Sequence, residues 1–313
     1  MFRFRFRRSA PPALPVATVN APTSTFEAEE DPPATVFKVR VSLHTDVGCV
    51  RELNEDSVRF VQPESPFELA YKGVMVVVCD GMGGHAGGEV ASKLGVETIG
   101  DTYMNSKLAT ASALRESFLL ANAAIFNKAK RDSSLHGMGT TGTALVLRGA
   151  QAFYAHVGDS RLYLVRNGDI YQMSEDHSMV MEMVRRGTLS AAEARNHPQS
   201  NIILRALGTQ PQVEVSLWDE PFPLRAGDRW VLCSDGLSDL VEDGEIQKAA
   251  SQTDIDAMGD SLIALARSRG GHDNVSVVIA EVLPLDVPVS LEETVTGEKD
   301  TNIAVETREV KIP

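Results

Sequence analysis

The sequence predicts an α+β fold in which two antiparallel β-sheets lie face to face and helices cover them. Three observations carry that expectation. Strand-like stretches fall into two blocks, and inside each block they follow one another through short turns, as antiparallel neighbours do. One pair of helix-like stretches follows the first block and another pair interrupts the second. The run Val74 to Cys79 is apolar without alternation, which marks a strand covered on both faces.

Taken in order, Met1 to about Thr35 carries Pro11-Pro12, Pro15, Pro22 and Pro32-Pro33 among Ala, Ser and Thr without periodicity, so residues 1–35 are expected to be a disordered tail. Its opening alternates Phe and Arg from Phe2 to Arg8 and reads as solvated. The folded domain is expected over 36–283. Phe37, Val39, Val41 and Leu43 alternate as in a half-buried strand, and Ser57 to Gln62 and Val74 to Cys79 add two more, with a loop containing Pro63 and Pro66 between them. Two core-facing helices follow: Glu89 to about Met104, with Val90, Leu94 and Ile99 on one face, and Ala111 to about Arg131, with Leu114, Phe118 and Phe126.

The second block comprises strands Thr143 to Arg148, Ala152 to Val157 and Arg161 to Val165, turning at Gly149-Ala150 and at Gly158-Asp159-Ser160. Asn167-Gly168 signals a hairpin. A polar stretch at about 174–200, with a helix around Met179 to Arg186, reads as a flap inserted over the domain. Arg229 to Cys233 and Val275 to Val282 are strands, separated by helices near Glu242 to Ser251 and Ile255 to Arg267. Residues 284–313 lose periodicity and read as a flexible acidic tail, with seven acids against three bases. Thr294, Thr296 and Thr301 in that tail are candidate phosphorylated docking sites.

The formal charge of −13 argues against a general nucleic-acid binder. No run reaches the length of a membrane span, and the N-terminus lacks the pattern of a cleaved leader. Cys49, Cys79 and Cys233 are odd in number and widely spaced, which suits free thiols in a reducing, cytoplasmic compartment.

The chemistry concentrates where apolar strands end. Asp80 follows Val78-Cys79 and precedes a glycine-rich stretch holding Gly81, Gly83, Gly84, Gly87 and Gly88; Asp159, Asp235 and Asp273 sit in the same setting, and Asn54-Glu55-Asp56 leads into another strand. Each alone reads as a turn or capping residue. Together, strand ends that meet at one edge of a sandwich bring these acids into one cluster. Two carboxylates about 4 Å apart repel by about 4 kcal/mol at an effective dielectric near 20, so the cluster needs cations. None of the seven histidines forms a His-x₃-His pair, and an all-oxygen donor set selects Mg²⁺ or Mn²⁺ over zinc. Two such ions hold a water between them, lower its pKa and clamp the oxygens of a phosphoryl group. Arg51 could grip a phosphate with its planar fork.

The blocks Thr45-Asp-Val-Gly-Cys-Val-Arg-Glu-Leu-Asn-Glu-Asp-Ser57, Val78-Cys-Asp-Gly-Met-Gly-Gly-His85, Gly139-Thr-Thr141, Val157-Gly-Asp-Ser-Arg161, Asp176-His177, Ser234-Asp-Gly-Leu-Ser-Asp239 and Gly271-His-Asp-Asn-Val-Ser276 occur in the order of the type 2C (PPM) metal-dependent protein serine/threonine phosphatases, and the sequence resembles the bacterial form of that family over about residues 38–283. The resemblance implies a four-layer α-β-β-α sandwich. It also implies roles: Asp80 bridging two metals, the Gly81 carbonyl as a further ligand, Asp235 and Asp273 completing the first ion's shell, Glu55 and Asp56 around the second, partly through water, Asp159 on a third, weaker ion, and Arg51 on the substrate phosphate. Where some members carry a histidine directly after the Asp-Gly pair, this chain has Met82, and His85 is the nearest candidate for a general acid or substrate contact. His177 and His197 read as structural, and Asp239 and Asn274 as residues that orient the site.

The expected activity is Mn²⁺- or Mg²⁺-dependent hydrolysis of phosphoserine and phosphothreonine in proteins by direct attack of a metal-bridging water, opposing a bacterial Ser/Thr kinase. The alternative is a catalytically weak member serving as a binding or regulatory module, which would be expected to lack one of the metal acids. An enzyme with the same site and another phosphoester as substrate is a third reading. No Cys-x₅-Arg signature supports a cysteine phosphatase.

Overall fold

The computed structural model describes residues 37–83, 87–195, 197–218, 220–285 and 305–307. The chain opens with β1 (Phe37–Asp46), β2 (Asp56–Val61), helix α1 (Pro66–Lys72), β3 (Val74–Met82) and the long helices α2 (Gly87–Asn105) and α3 (Thr110–Arg131). It continues with β4 (Gly139–Thr140), β5 (Gly142–Arg148), β6 (Gln151–Val157), β7 (Arg161–Arg166), β8 (Asp169–Gln172), α4 (Met179–Arg185) and α5 (Ala191–Arg195). Then follow β9 (Ser216–Leu217), β10 (Phe222–Pro223), β11 (Arg229–Cys233), α6 (Asp235–Ser238), α7 (Asp243–Ala249), α8 (Ile255–Ser268), β12 (Val275–Pro284) and β13 (Val305–Thr307).

Alternation along each strand feeds two apolar layers rather than one core and the solvent. In β3, Val74, Val76 and Val78 enter a core between the sheets, while Met75, Val77 and Cys79 enter a second core beneath α2 and α3. In β11, Trp230 and Leu232 join the inter-sheet core, and Val231 and Cys233 join a third core under α7 and α8. This explains the unbroken apolar runs, and it sets the layers as helices, sheet, sheet, helices. One sheet has the order β13-β1-β12-β11-β7-β8 and the other β10-β6-β5-β3-β2, with β9 beside β6 and β4 beside β3. Every pairing is antiparallel except that of β13, which runs parallel to β1.

Several elements differ from the sequence expectation. The loop holding Pro63 and Pro66 contains α1, which places Pro66 at its first turn, where the missing N–H costs nothing. β3 runs on through Asp80, Gly81 and Met82 because β4 pairs with its end. The flap contains α5 besides α4, and Asp235 opens a short helix instead of a bare turn. Within the stretch expected as an acidic tail, Val305–Thr307 pairs with Val39 to Val41. Residues 1–36, 286–304 and 308–313, and with them Thr294, Thr296 and Thr301, lie outside the described residues. Among the described residues no helix is long and apolar enough to cross a membrane.

At one end of the sandwich the same alternation carries the inter-sheet face into polar residues. Val58 and Phe60 on β2 lead back to Asp56, Val78 on to Asp80, Leu145 back to Thr143, Tyr154 on to His156, Leu232 on to Ser234, and Val278 back to Ser276. A slot that is apolar along most of its length is polar at this mouth.

Candidate metal centre

Asp80 and Asp56 stand directly opposite each other across β3 and β2. Like charges in that position work against strand pairing. The Asp80 backbone is fixed from the end of β4 and the residue after it: its N–H donates to Thr141 Oγ1 at 2.9 Å, and its carbonyl accepts from Thr141 N–H and from Thr140 Oγ1, both at 2.8 Å. Asp235 opens α6 at the end of β11, on the facing sheet, within hydrogen-bonding reach of the Asp80 carboxyl. Asp56 accepts from Ser234 Oγ at 2.7 Å, a link from one sheet to the other. Asp273, just before β12, accepts from its neighbour Asn274 N–H and from Arg51 Nη2, each at 2.8 Å.

Asp159 lies in the turn between β6 and β7, buried, with Oδ1 lacking any partner. Beside it opens a cavity of about 230 Å³ lined by Asp159, Asp235, Asp239, Arg161 and the flap residues Ser178 and Met181. Glu55 also has a buried unpartnered oxygen, Oε1; it lies against the α2 start, since a Cβ on Gly88 would fall 2.4 Å from it, and its Oε2 is 3.5 Å from Arg51. Gly81 admits no side chain, because a Cβ there would meet Gly88 O at 2.2 Å and Glu55 O at 2.5 Å.

The electrostatics record the crowding. Burial, then the charges of Asp235, Asp56 and Asp159, push the Asp80 carboxyl well above the ordinary carboxylate range. Burial and the charges of Asp159, Asp239 and Asp273 do the same to Asp235. Asp159 is raised to about 7 by burial with Asp176 and Asp239, and Asp56 to about 6 by burial, against hydrogen bonds from Ser234 and Ser276. Burial raises Glu55, opposed by Arg51.

Among the described residues no group of three His, Cys, Asp or Glu side chains forms a ready-made metal cage. The fit to hard divalent ions rests on the donor chemistry: clustered carboxylates that repel one another, and two buried oxygens, Glu55 Oε1 and Asp159 Oδ1, without a hydrogen-bond partner among the described residues. Thus Asp56, Asp80, Asp159, Asp235 and Asp273 meet at one mouth, with Gly81 beside Asp80. Arg51 stands at the rim between Asp273 and Glu55, and Glu55 leans toward α2 rather than into the cluster. His85 lies outside the described residues.

Four participants were given no role from the sequence, three of them within the blocks quoted above. Ser234 and Ser276 bond Asp56, and Arg161 holds Asp176 through three contacts of 2.7 to 3.1 Å. His156 is fully buried at the end of β6, and a histidine closing an apolar strand was the available signal.

Residues 52–272 match the family described as Protein phosphatase 2C. The chain is 37% identical over 249 residues to the serine/threonine phosphatase stp of Listeria innocua, an alignment covering 78% of this chain and 96% of that protein. The crystal structure of the Mycobacterium tuberculosis serine/threonine phosphatase PstP/Ppp superposes with a TM-score of 0.70 at 37% identity, over 78% of this chain and 99% of that one. The catalytic domain of PstP in complex with two manganese ions gives a TM-score of 0.69 at 36% identity, over 79% and 99% of the two chains.

Proposed function

Since the chain belongs to the protein phosphatase 2C family and is therefore a Mn²⁺- or Mg²⁺-dependent protein serine/threonine phosphatase, we propose that the acids at the sandwich mouth are its metal ligands and that it opposes a Ser/Thr kinase in the cytoplasm. Asp80, Asp235 and Asp273 with the Gly81 carbonyl would hold one ion, Asp80 a second with Asp56 and Glu55 around it, partly through water, and Asp159 a weaker third. The observation that carries this reading is the set of buried carboxylates from both sheets whose mutual repulsion Arg51 and Arg161 offset only in part. When bound, the ions supply an acidified water and offset the charge of the phosphoryl oxygens.

The chain's own groups do the rest. Asp56 is oriented by Ser234, and Asp80 by Thr140 and Thr141, so the acids are set before any ion arrives. Arg51, half exposed at the rim, presents a guanidinium whose planar fork suits two oxygens of a phosphate dianion. The leaving seryl or threonyl oxygen must take up a proton, and His85 is the candidate donor. The free, buried thiols of Cys79 and Cys233 support the reducing compartment.

The test is phosphate release from a phosphothreonine peptide by wild type and by Asp80→Asn, each with Mn²⁺ and with excess EDTA. Release that needs Mn²⁺ and falls at least about 100-fold in the variant is expected, since even residues that merely support metal ligands cost up to that much. Full activity of Asp80→Asn would overturn the metal assignment.

A further inference from the structure

Gly158 lies in the turn between β6 and β7, one residue ahead of Asp159, and its peptide groups are held from two sides. Its carbonyl accepts from His156 Nε2–H at 2.9 Å and from the His177 backbone N–H at 2.7 Å, and its own N–H donates to His177 Nδ1 at 3.1 Å. A carbonyl cannot donate, so His156 carries its proton on Nε2, and its Nδ1 accepts from the Thr143 hydroxyl at 2.9 Å. His177 accepts at Nδ1, so its ring proton is also on Nε2 and is directed to Ser216 Oγ at 3.0 Å. The two rings lie 4.8 Å apart.

The clamp reaches in two directions. Gly158 has φ of 116°, and a Cβ on it would fall 2.6 Å from the Thr141 side chain, the same residue that fixes the Asp80 backbone. On the other side, the His177 carbonyl accepts from Leu204 N–H at 2.7 Å, and Ile202 O accepts from Met179 N–H at 2.8 Å. The outgoing and returning ends of the flap therefore close upon His177. A histidine that only filled space would not engage both ring nitrogens and both backbone groups.

We infer that His177 is a positioning residue that joins the root of the flap to the Gly158–Asp159 turn, coupling the flap's placement to the holding of a cation at Asp159. This rests on the reading of Asp159 as a metal ligand, and the experiment separates the two. His177→Asn places an oxygen near the Nδ1 position and keeps the acceptor; His177→Leu fills the volume and leaves the Gly158 N–H unpaired. Mn²⁺ binding to the full chain is followed by calorimetry, and amide hydrogen exchange is followed over residues 178–204.

His177→Leu is expected to weaken the weakest Mn²⁺ about tenfold or more and to speed exchange in 178–204, leaving the tighter ions in place, whereas His177→Asn stays within about threefold of wild type. A folded His177→Leu protein with unchanged isotherm and exchange overturns the inference. If His177→Leu does not fold, His177→Gln takes its place, because its amide reaches Ser216 but not the Gly158 N–H. Asp159→Asn should abolish the weakest binding. Its failure to do so would refute the role of Asp159, and with it the coupling, whatever the His177 variants show.

Discussion

Asn274 is buried and uses both ends of its amide: Nδ2 donates to Val47 O at 3.0 Å and Leu53 O at 2.9 Å, and Oδ1 accepts from Glu55 N–H at 2.8 Å. The loop that carries Arg51 is thereby hung on the start of β12. Asn274→Ala would strand those partners, so a loss of about 2–3 kcal/mol in urea unfolding is expected, together with a raised KM for phosphopeptides as Arg51 loses its frame. His156 offers a second residue-scale expectation. Burial drives its pKa to about 4, and that of His177 to about 3, against an ordinary value of 6.5. Both rings should stay neutral from pH 8 to pH 5, which proton NMR of the ring C–H signals checks. Because the unfolded chain protonates first, their contribution to stability is complete above pH 6.5 and is lost as pH falls toward 4. For His156 that loss amounts to about 3 kcal/mol.

At the scale of elements, what the sequence disclosed depended on how local the cause was. Strands β1, β3, β11 and β12 were legible because burial on one or both faces writes itself into alternation or into an unbroken apolar run. The acids Asp80, Asp159, Asp235 and Asp273 were legible because each ends or begins such a run beside a turn residue. Helix α1 was not: it is seven residues long and leaves Phe67 80% and Tyr71 52% exposed, so no apolar stripe betrays it. The links between Ser234 and Asp56, and between Asn274 and Glu55, were hidden for another reason. They join residues 178 and 219 positions apart, and only the stacking of the two sheets brings them together. The lean of Glu55 toward α2 is likewise a property of the packed helix, not of the Asn-Glu-Asp string.

For the molecule as a whole, the mouth acids oppose folding whenever they are ionised without cations. Asp56 and Asp159, at about 6 and about 7, lie above the ordinary 3.8. Raised folded-state values mean that their contribution to stability is fully present below pH 3.8 and is lost as pH rises through 6 and 7. In EDTA, thermal unfolding should therefore occur at lower temperature at pH 8 than if these acids were absent, and Asp80→Asn should melt above wild type while being inactive. Saturating Mn²⁺ should remove the difference, adding about 2.7 kcal/mol at a hundredfold excess over its Kd. As pH falls from 6.5 to 4 the metal-free protein gains from these acids part of what the histidines take away, whereas the Mn²⁺-loaded protein loses ion binding as well as the histidine contribution, because protons compete with Mn²⁺ for the carboxylates.

The polar mouth of the inter-sheet slot also dictates a sequence of events. A phosphorylated side chain arrives as a dianion, and a mouth of bare carboxylates on a chain of net charge −13 repels it before contact. Cations reverse the sign of the field there. With the mouth acids as the metal ligands, as proposed, loading runs ion first and phosphoprotein second, and depletion of the ion closes the enzyme to its substrate at the encounter, before any bond is at stake.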